Sequence, residues 1–218
     1  MNQNTILELF RYHQDRNLTD YKALKAAFWH GMEKAGATLL GAGWYSTVWA
    51  VGDSVYKINS GSNGGRDGFV HWVDGIRDFG SNPHLPRVGA IAVDDERYCI
   101  ELEPLTPLDD TDARLMGAIA LNQTTVKMLA GYVAGFPDLV GAIDLAYQIV
   151  QVANPEHDYG PNPDLFSKLS SIDFSDWGGF SNLMKRGDCL VLNDPIAYSA
   201  ESIEPYNIKL RQSLGLAA

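Results

Sequence analysis

The sequence predicts an α+β fold, with an antiparallel sheet of five strands and one helix in its first half and a truncated, mainly helical second half. Three observations predict it. Residues 36–58 hold three short runs rich in β-branched and aromatic residues, separated by the glycine turn Gly41-Ala42-Gly43 and by Gly52-Asp53. Residues 88–102 hold a second apolar pair around Asp94-Asp95-Glu96. Over 66–79 and 112–152 the apolar residues recur instead at helical spacing. The chain accordingly divides into a helical segment 1–35, a sheet-bearing region 36–105 and a helical region 106–218.

In chain order, residues 5–35 read as helical. Ile6, Leu9 and Phe10 share one face, and after the Asn17-Leu18-Thr19-Asp20 break Tyr21, Leu24, Ala27 and Phe28 share another. His13 and His30 read as surface residues. The stretch Leu40-Gly41-Ala42-Gly43-Trp44-Tyr45-Ser46-Thr47-Val48-Trp49-Ala50-Val51 then runs through Gly52-Asp53 into Ser54-Val55-Tyr56-Lys57-Ile58. Two glycines one residue apart let a backbone bend back and approach a ligand with no Cβ in the way. A lysine on the third strand lies beneath that turn, where an ammonium meets phosphate oxygens. The Gly-Lys-Ser/Thr ending of a P-loop is missing, and so is the third glycine that opens a helix in a dinucleotide fold. A glycine turn between strands with Val-x-Lys on the next strand fits the protein-kinase pattern best, with Ser46 where the third glycine stands.

Residues 59–65 are loop by composition, and 66–79 follow as a helix with Phe69, Trp72, Val73 and Ile76 as its buried stripe. Asp67 and Asp74 are the acids on that helix placed to answer the strand lysine. Ser81-Asn82-Pro83-His84-Leu85-Pro86 is a turn-rich connector into the hairpin of Val88–Val93 and Tyr98–Leu102. Glu103-Pro104-Leu105-Thr106-Pro107-Leu108 stops the strand with a stiff segment. The helical region offers Leu115, Ile119, Val126, Leu129, Val133, Ile143, Tyr147 and Val150 as core, and residues 154–163 read as loop.

Chemistry returns at residues 172–195. A short strand Leu183–Lys185, a Gly187-Asp188 turn and a strand Cys189–Leu192 end in Asn193-Asp194-Pro195. Phosphoryl transfer from ATP needs a carboxylate at the acceptor hydroxyl, and an amide and a second carboxylate to hold Mg²⁺ against the phosphates. Asp176, Asn182 and Asp194 occur in that order.

A hydrophobic content of 45% supports a packed core, and a net charge of −10 argues against nucleic acid or an anionic membrane as the main partner. Cys99 and Cys189 sit in apolar strand-like runs and imply no disulfide framework. Residues Met1–Asn4 have neither a basic start nor an apolar run, and no stretch is long and apolar enough to span a bilayer, so the expected location is the cytoplasm.

These words together resemble the protein-kinase superfamily, most closely the short Ser/Thr protein kinases of lytic tailed phages. The resemblance covers roughly 36–108 and 172–200. It is carried by Leu40-Gly41-Ala42-Gly43 through Val48-Trp49, Val55-Tyr56-Lys57-Ile58, Pro83-His84-Leu85-Pro86-Arg87-Val88, Asn182-Leu183-Met184 and Asn193-Asp194-Pro195. It implies an ATP·Mg²⁺ cleft between an N-lobe and a truncated C-lobe. Gly41, Gly43, Ser46, Val48, Val55 and Lys57 would contact the nucleotide, Glu103 and Leu105 would offer backbone to adenine, and Asn182 and Asp194 would hold metal. The implied activity is transfer of phosphate from ATP to host bacterial proteins in the host cytoplasm.

Four departures qualify that. The family places its catalytic aspartate at the position of Trp177, so Asp176 serves only if the loop bulges by one residue, which Gly178-Gly179 permits. Phe174-Ser175 replaces the family's His-Arg, and Pro195-Ile196 its Phe-Gly. The stretch from Pro195 to Ala218 is short for an activation segment with peptide-binding helices. Three functions follow: a Ser/Thr protein kinase with Asp176 and Lys57 as catalytic residues; a pseudokinase that binds and inhibits a host protein; and a small-molecule phosphotransferase.

Overall fold

In the computed structural model, five strands pair into one antiparallel sheet: β1 (Thr38–Ala42), β2 (Ser46–Val51), β3 (Ser54–Asn59), β4 (Val88–Asp94) and β5 (Arg97–Leu102), in the order β1-β2-β3-β5-β4. This is the sheet expected from the sequence. The structure describes residues 29–42, 46–59, 66–94, 97–109, 134–153, 163–171, 182–195 and 199–200. The expected helical faces over 5–28, the core positions over 115–133 and the loop over 154–162 lie outside them.

Packing divides the chain into two compact units, residues 1–66 with 87–104, and residues 67–86 with 105–218. In the first unit, side-chain alternation gives the sheet two faces. Trp49, Tyr56, Ile58 and Cys99 point to one of them and form a core with Met32 and Ala37. Met32 comes from the helical residues 29–34 (α1). Trp29 of α1 meets Trp49 edge-on, with ring centroids 5.8 Å apart and planes at 85°, a geometry favoured by the ring quadrupoles. The helix stops at Gly36, whose φ of 80° lets the Ala37 amide reach back 3.0 Å to the Met32 carbonyl and the Gly36 amide 2.9 Å to that of Glu33. These are the two bonds of a Schellman end. Gly52, at φ 59°, makes the two-residue turn between β2 and β3.

The second unit holds the helices α2 (Phe69–Phe79), α3 (Pro137–Ala153) and α4 (Leu165–Ser171), and a small sheet of β6 (Thr106–Pro107), β7 (Leu183–Arg186) and β8 (Cys189–Leu192). The stripe read from the sequence is the buried one: Phe69, Trp72, Val73 and Ile76 are each at most 6% exposed. It belongs to this unit because α2 packs on α3. A Cβ at Gly75 would stand 2.8 Å from Ile149 Cδ1, so the missing side chain sets how closely the two helices approach. Ile143, Tyr147 and Val150 of α3 are buried as expected. Asp164 caps α4 by accepting from the Ser167 amide at 2.8 Å and its hydroxyl at 2.7 Å. Lys168 then pairs with Asp144 of α3 at 2.7 Å. Among the described residues no helix is long and apolar enough to cross a membrane. Both cysteines are free thiols.

Candidate functional site

The first unit contributes one row of residues across its sheet. Gly41 pairs with Val48, Val48 with Lys57, Lys57 with Ile100 and Ile100 with Ile91. Opposed residues in adjacent strands point to the same face, and this face is the one turned away from the core of Trp49, Tyr56 and Cys99. Two positions along, Ser46 pairs with Asn59 and Val55 with Ala50 and Leu102, also on this face. Every strand residue expected to touch the nucleotide therefore shares one side of the sheet. A register shift between Leu39 and Gly41 puts Gly41 opposite Val48 and leaves Leu40 58% exposed. Lys57 is 6% exposed. An ammonium held that far from water needs anionic or strongly polar company. Gly43 lies outside the described residues.

The opposite face carries an acid that sequence reasoning passed over. Glu101 stands opposite Tyr56 and accepts the Ser54 hydroxyl at 2.7 Å and, more weakly, the Tyr56 hydroxyl at 3.4 Å. Its second oxygen takes the Ala90 amide at 3.1 Å. Burial, with this carboxylate as the next cause, pushes the Cys99 thiol up to about 12. The same two causes, in the same order, raise Tyr56. A Cβ on Gly89 would collide with Glu101, so the glycine gives the carboxylate its room. No local pattern marks Glu101, since its partners come from two other strands, β3 and β4.

The second unit brings Asn182 and Asp194 together. The hairpin pairs Leu183 with Leu192 and turns at Gly187, whose φ is 60°. At the other end, the Asn182 carbonyl accepts the Asn193 amide at 2.8 Å and the Asp194 amide at 3.4 Å. One carbonyl thus gathers both amides, and the two expected metal ligands emerge from the same end of the hairpin. Asn182 is 8% exposed and Asp194 half-buried. An amide oxygen and a carboxylate are hard donors of the kind Mg²⁺ takes, so the residues present fit that ion. Asp176 lies outside the described residues.

The connector at 82–86 holds the same hairpin along its length, from the turn to Leu192. The Arg186 guanidinium donates to the Pro83 carbonyl at 2.8 Å and the Leu85 carbonyl at 3.0 Å. A His84 ring nitrogen lies 2.8 Å from the Leu190 carbonyl, and the Leu192 amide donates to the His84 carbonyl at 2.9 Å. At the start of the connector, Asn82 donates to the Asp138 carbonyl of α3 at 2.7 Å. Glu103, expected to serve adenine, has its amide on the Arg87 carbonyl at 3.1 Å, while its carboxylate accepts the Arg87 amide at 2.8 Å. Leu105 is half-buried on the segment after it.

No protein-family model and no curated protein matches the chain. Among solved structures, it is similar to a thermostable mutant of the aminoglycoside phosphotransferase APH(4)-Ia, crystallised in a ternary complex with AMP-PNP and hygromycin B. Identity is 16% over 79% of this chain and 72% of that one, with a TM-score of 0.36. A likeness that loose assigns no residue of this chain a role.

Proposed function

We propose that the protein is an ATP- and Mg²⁺-dependent phosphotransferase of protein-kinase-like design. The observation that carries this reading is the row Gly41–Val48–Lys57 on the sheet face that the first unit's core does not use. A ligand on that face meets a glycine backbone, the apolar Val48 and Val55, the Ser46 hydroxyl and a cation, which is the chemistry of a nucleotide and its phosphates. Glu103, its amide already engaged, serves an adenine amino group through its carbonyl, with Leu105 supplying backbone beside it. Asn182 and Asp194 of the second unit would hold Mg²⁺, which when bound neutralises phosphate charge as it develops.

In the transfer, the γ-phosphoryl group leaves the bridging oxygen of ADP and bonds to an acceptor hydroxyl, whose proton passes to Asp176. Lys57 holds the phosphate oxygens and stabilises the charge that gathers on them. The acceptors we assign are seryl and threonyl hydroxyls of host bacterial proteins in the host cytoplasm. The resemblance to phage kinases supports that choice, and the net charge of −10 disfavours nucleic acid and anionic membranes.

One observation favours a second reading. Trp177 stands where the family keeps its aspartate, and an indole donates but cannot accept a proton. On that reading the protein binds nucleotide and acts as an inhibitory partner without transfer. Incubation with γ-labelled ATP and Mg²⁺, alone and with bacterial lysate, separates the two. Label should appear in protein bands and fall at least ~10²-fold in Asp176→Ala, the contribution expected of a general base. A parent that binds ATP but transfers nothing establishes the pseudokinase, whereas an Asp176→Ala variant as active as the parent removes Asp176 from the mechanism.

A further inference from the structure

The Asn193–Asp194 peptide is held from both sides. Its carbonyl, on Asn193, accepts the indole N–H of Trp72 at 3.1 Å. Its N–H, on Asp194, points to the Asn182 carbonyl at 3.4 Å, and the Asn193 amide shares that acceptor at 2.8 Å. A peptide is planar, so anchoring its two poles fixes the direction in which the chain enters Asp194. Pro195 restricts the exit, because a residue before proline is confined to extended backbone. The Asp194 side chain is left little more than its own rotamers. Trp72 is fully buried on α2, and its stripe of apolar neighbours packed on α3 makes it a rigid support.

Resting on the reading of Asp194 as a metal ligand, we infer that Trp72 is the positioning residue for its carboxylate, acting through the Asn193–Asp194 peptide. The indole is suited to this because it donates one hydrogen bond and accepts none. It cannot compete for the metal, and it leaves the carboxylate oxygens unengaged by itself. Asn182 takes the complementary part: its backbone carbonyl holds the same peptide from the other pole, and its side chain supplies the second oxygen. The metal-binding pair and its alignment thus depend on α2 as well as on the hairpin.

The test is the Mn²⁺ affinity of the protein with AMP-PNP, read by electron paramagnetic resonance, beside nucleotide affinity without metal and the thermal midpoint. Trp72→Phe keeps a ring in the core and removes the N–H. Mn²⁺ affinity should fall about tenfold, the low end of what outer-shell partners contribute, while metal-free nucleotide affinity stays within twofold. Benzothienylalanine at position 72 keeps the shape of the indole without its N–H, and should show the same loss with an unchanged midpoint even if the phenylalanine leaves a cavity. Arg186→Gln, which loosens the turn end of the hairpin, should lower the midpoint and leave Mn²⁺ affinity within twofold. Parent-like Mn²⁺ affinity without the N–H overturns the inference alone, and so does an equal loss in Arg186→Gln, which would mean hairpin stability sets the affinity. A parent that binds no Mn²⁺ with the nucleotide overturns the metal reading and the inference together.

Discussion

Raising the pH from 8 to 10 should loosen the five-stranded sheet through one thiol. Cys99 is completely buried on β5, opposite Ile58 on one side and Ala92 on the other. Burial, and then the Glu101 carboxylate, raise its pKa from 9.0 to about 12. A folded-state pKa above the unfolded one means the native protein holds the proton more tightly. The contribution to stability is whole below the unfolded value near pH 9 and is lost as pH climbs toward the folded value near 12. At pH 10, one unit into that window, the loss is about 1 kcal/mol, and the whole gap amounts to about 4 kcal/mol. With a urea slope of ~2 kcal/mol/M, the step from pH 8 to pH 10 moves the midpoint down by ~0.5 M through this group. Cys99→Ala starts from a lower midpoint because it leaves a small cavity, but its drop between the two pH values should be smaller by about that amount. Tyr56, whose pKa is raised chiefly by burial and by Glu101, is present in both proteins and acts in the same direction only from pH 10 upward. Urea unfolding followed by circular dichroism at both pH values measures the difference of differences. An equal drop in parent and variant would refute the reasoning, and would place the alkaline sensitivity elsewhere.

Two predictions concern the site. Lys57→Met should slow phosphoryl transfer ~10²–10³-fold, about 3–4 kcal/mol of barrier, as removal of one preorganised charge contact does; single-turnover transfer at saturating ATP reads this, and an unchanged rate takes the lysine out of the mechanism. Asp194→Asn should weaken Mg²⁺-dependent nucleotide binding in calorimetric titration more than Asn193→Ala does, since the first removes a charged donor and the second leaves the Asn193 carbonyl on Trp72; equal effects would reduce Asn193-Asp194-Pro195 to a strand-end turn.

What the sequence showed of this architecture is what short-range chemistry writes. The β-branched runs around Gly52-Asp53 and Gly187-Asp188 set hairpins by turn geometry. The helical stripe of α2 was legible for the same reason, as one face of a 3.6-residue repeat. What it did not show arises between residues far apart. Trp72 reads as one more apolar residue of its stripe, and nothing near it announces a hydrogen bond to residue 193. Arg186 and His84 look like turn residues until the connector and the hairpin meet. Glu101 reads as the outward position of an alternating strand, yet it gathers donors from β3 and β4. The membership of α2 was obscured likewise, because the fit of Gly75 against Ile149 decides it and a lone glycine within a helical pattern carries no direction. The expectations for Gly43 and Asp176 fall outside the described residues.

The division of the chain has a consequence for how it can be made and cut. The first unit takes residues up to 66 and then 87–104, while the second takes 67–86 and everything from 105 onward. Neither is a contiguous stretch, so no single cleavage yields both intact. A fragment ending at the Pro104–Leu105 junction would carry away α2, with the Trp72 indole that supports Asn193 and the connector that holds the hairpin. During synthesis the sheet can close once β5 has emerged, but α2 and the connector must wait for partners about a hundred residues downstream, such as the Leu192 amide that bonds to His84. Contacts of that span are slow to form, and meanwhile the apolar stripe of α2 is uncovered and open to aggregation. Split-protein complementation should therefore succeed only when the break is placed within one unit's own segment and the two pieces are expressed together.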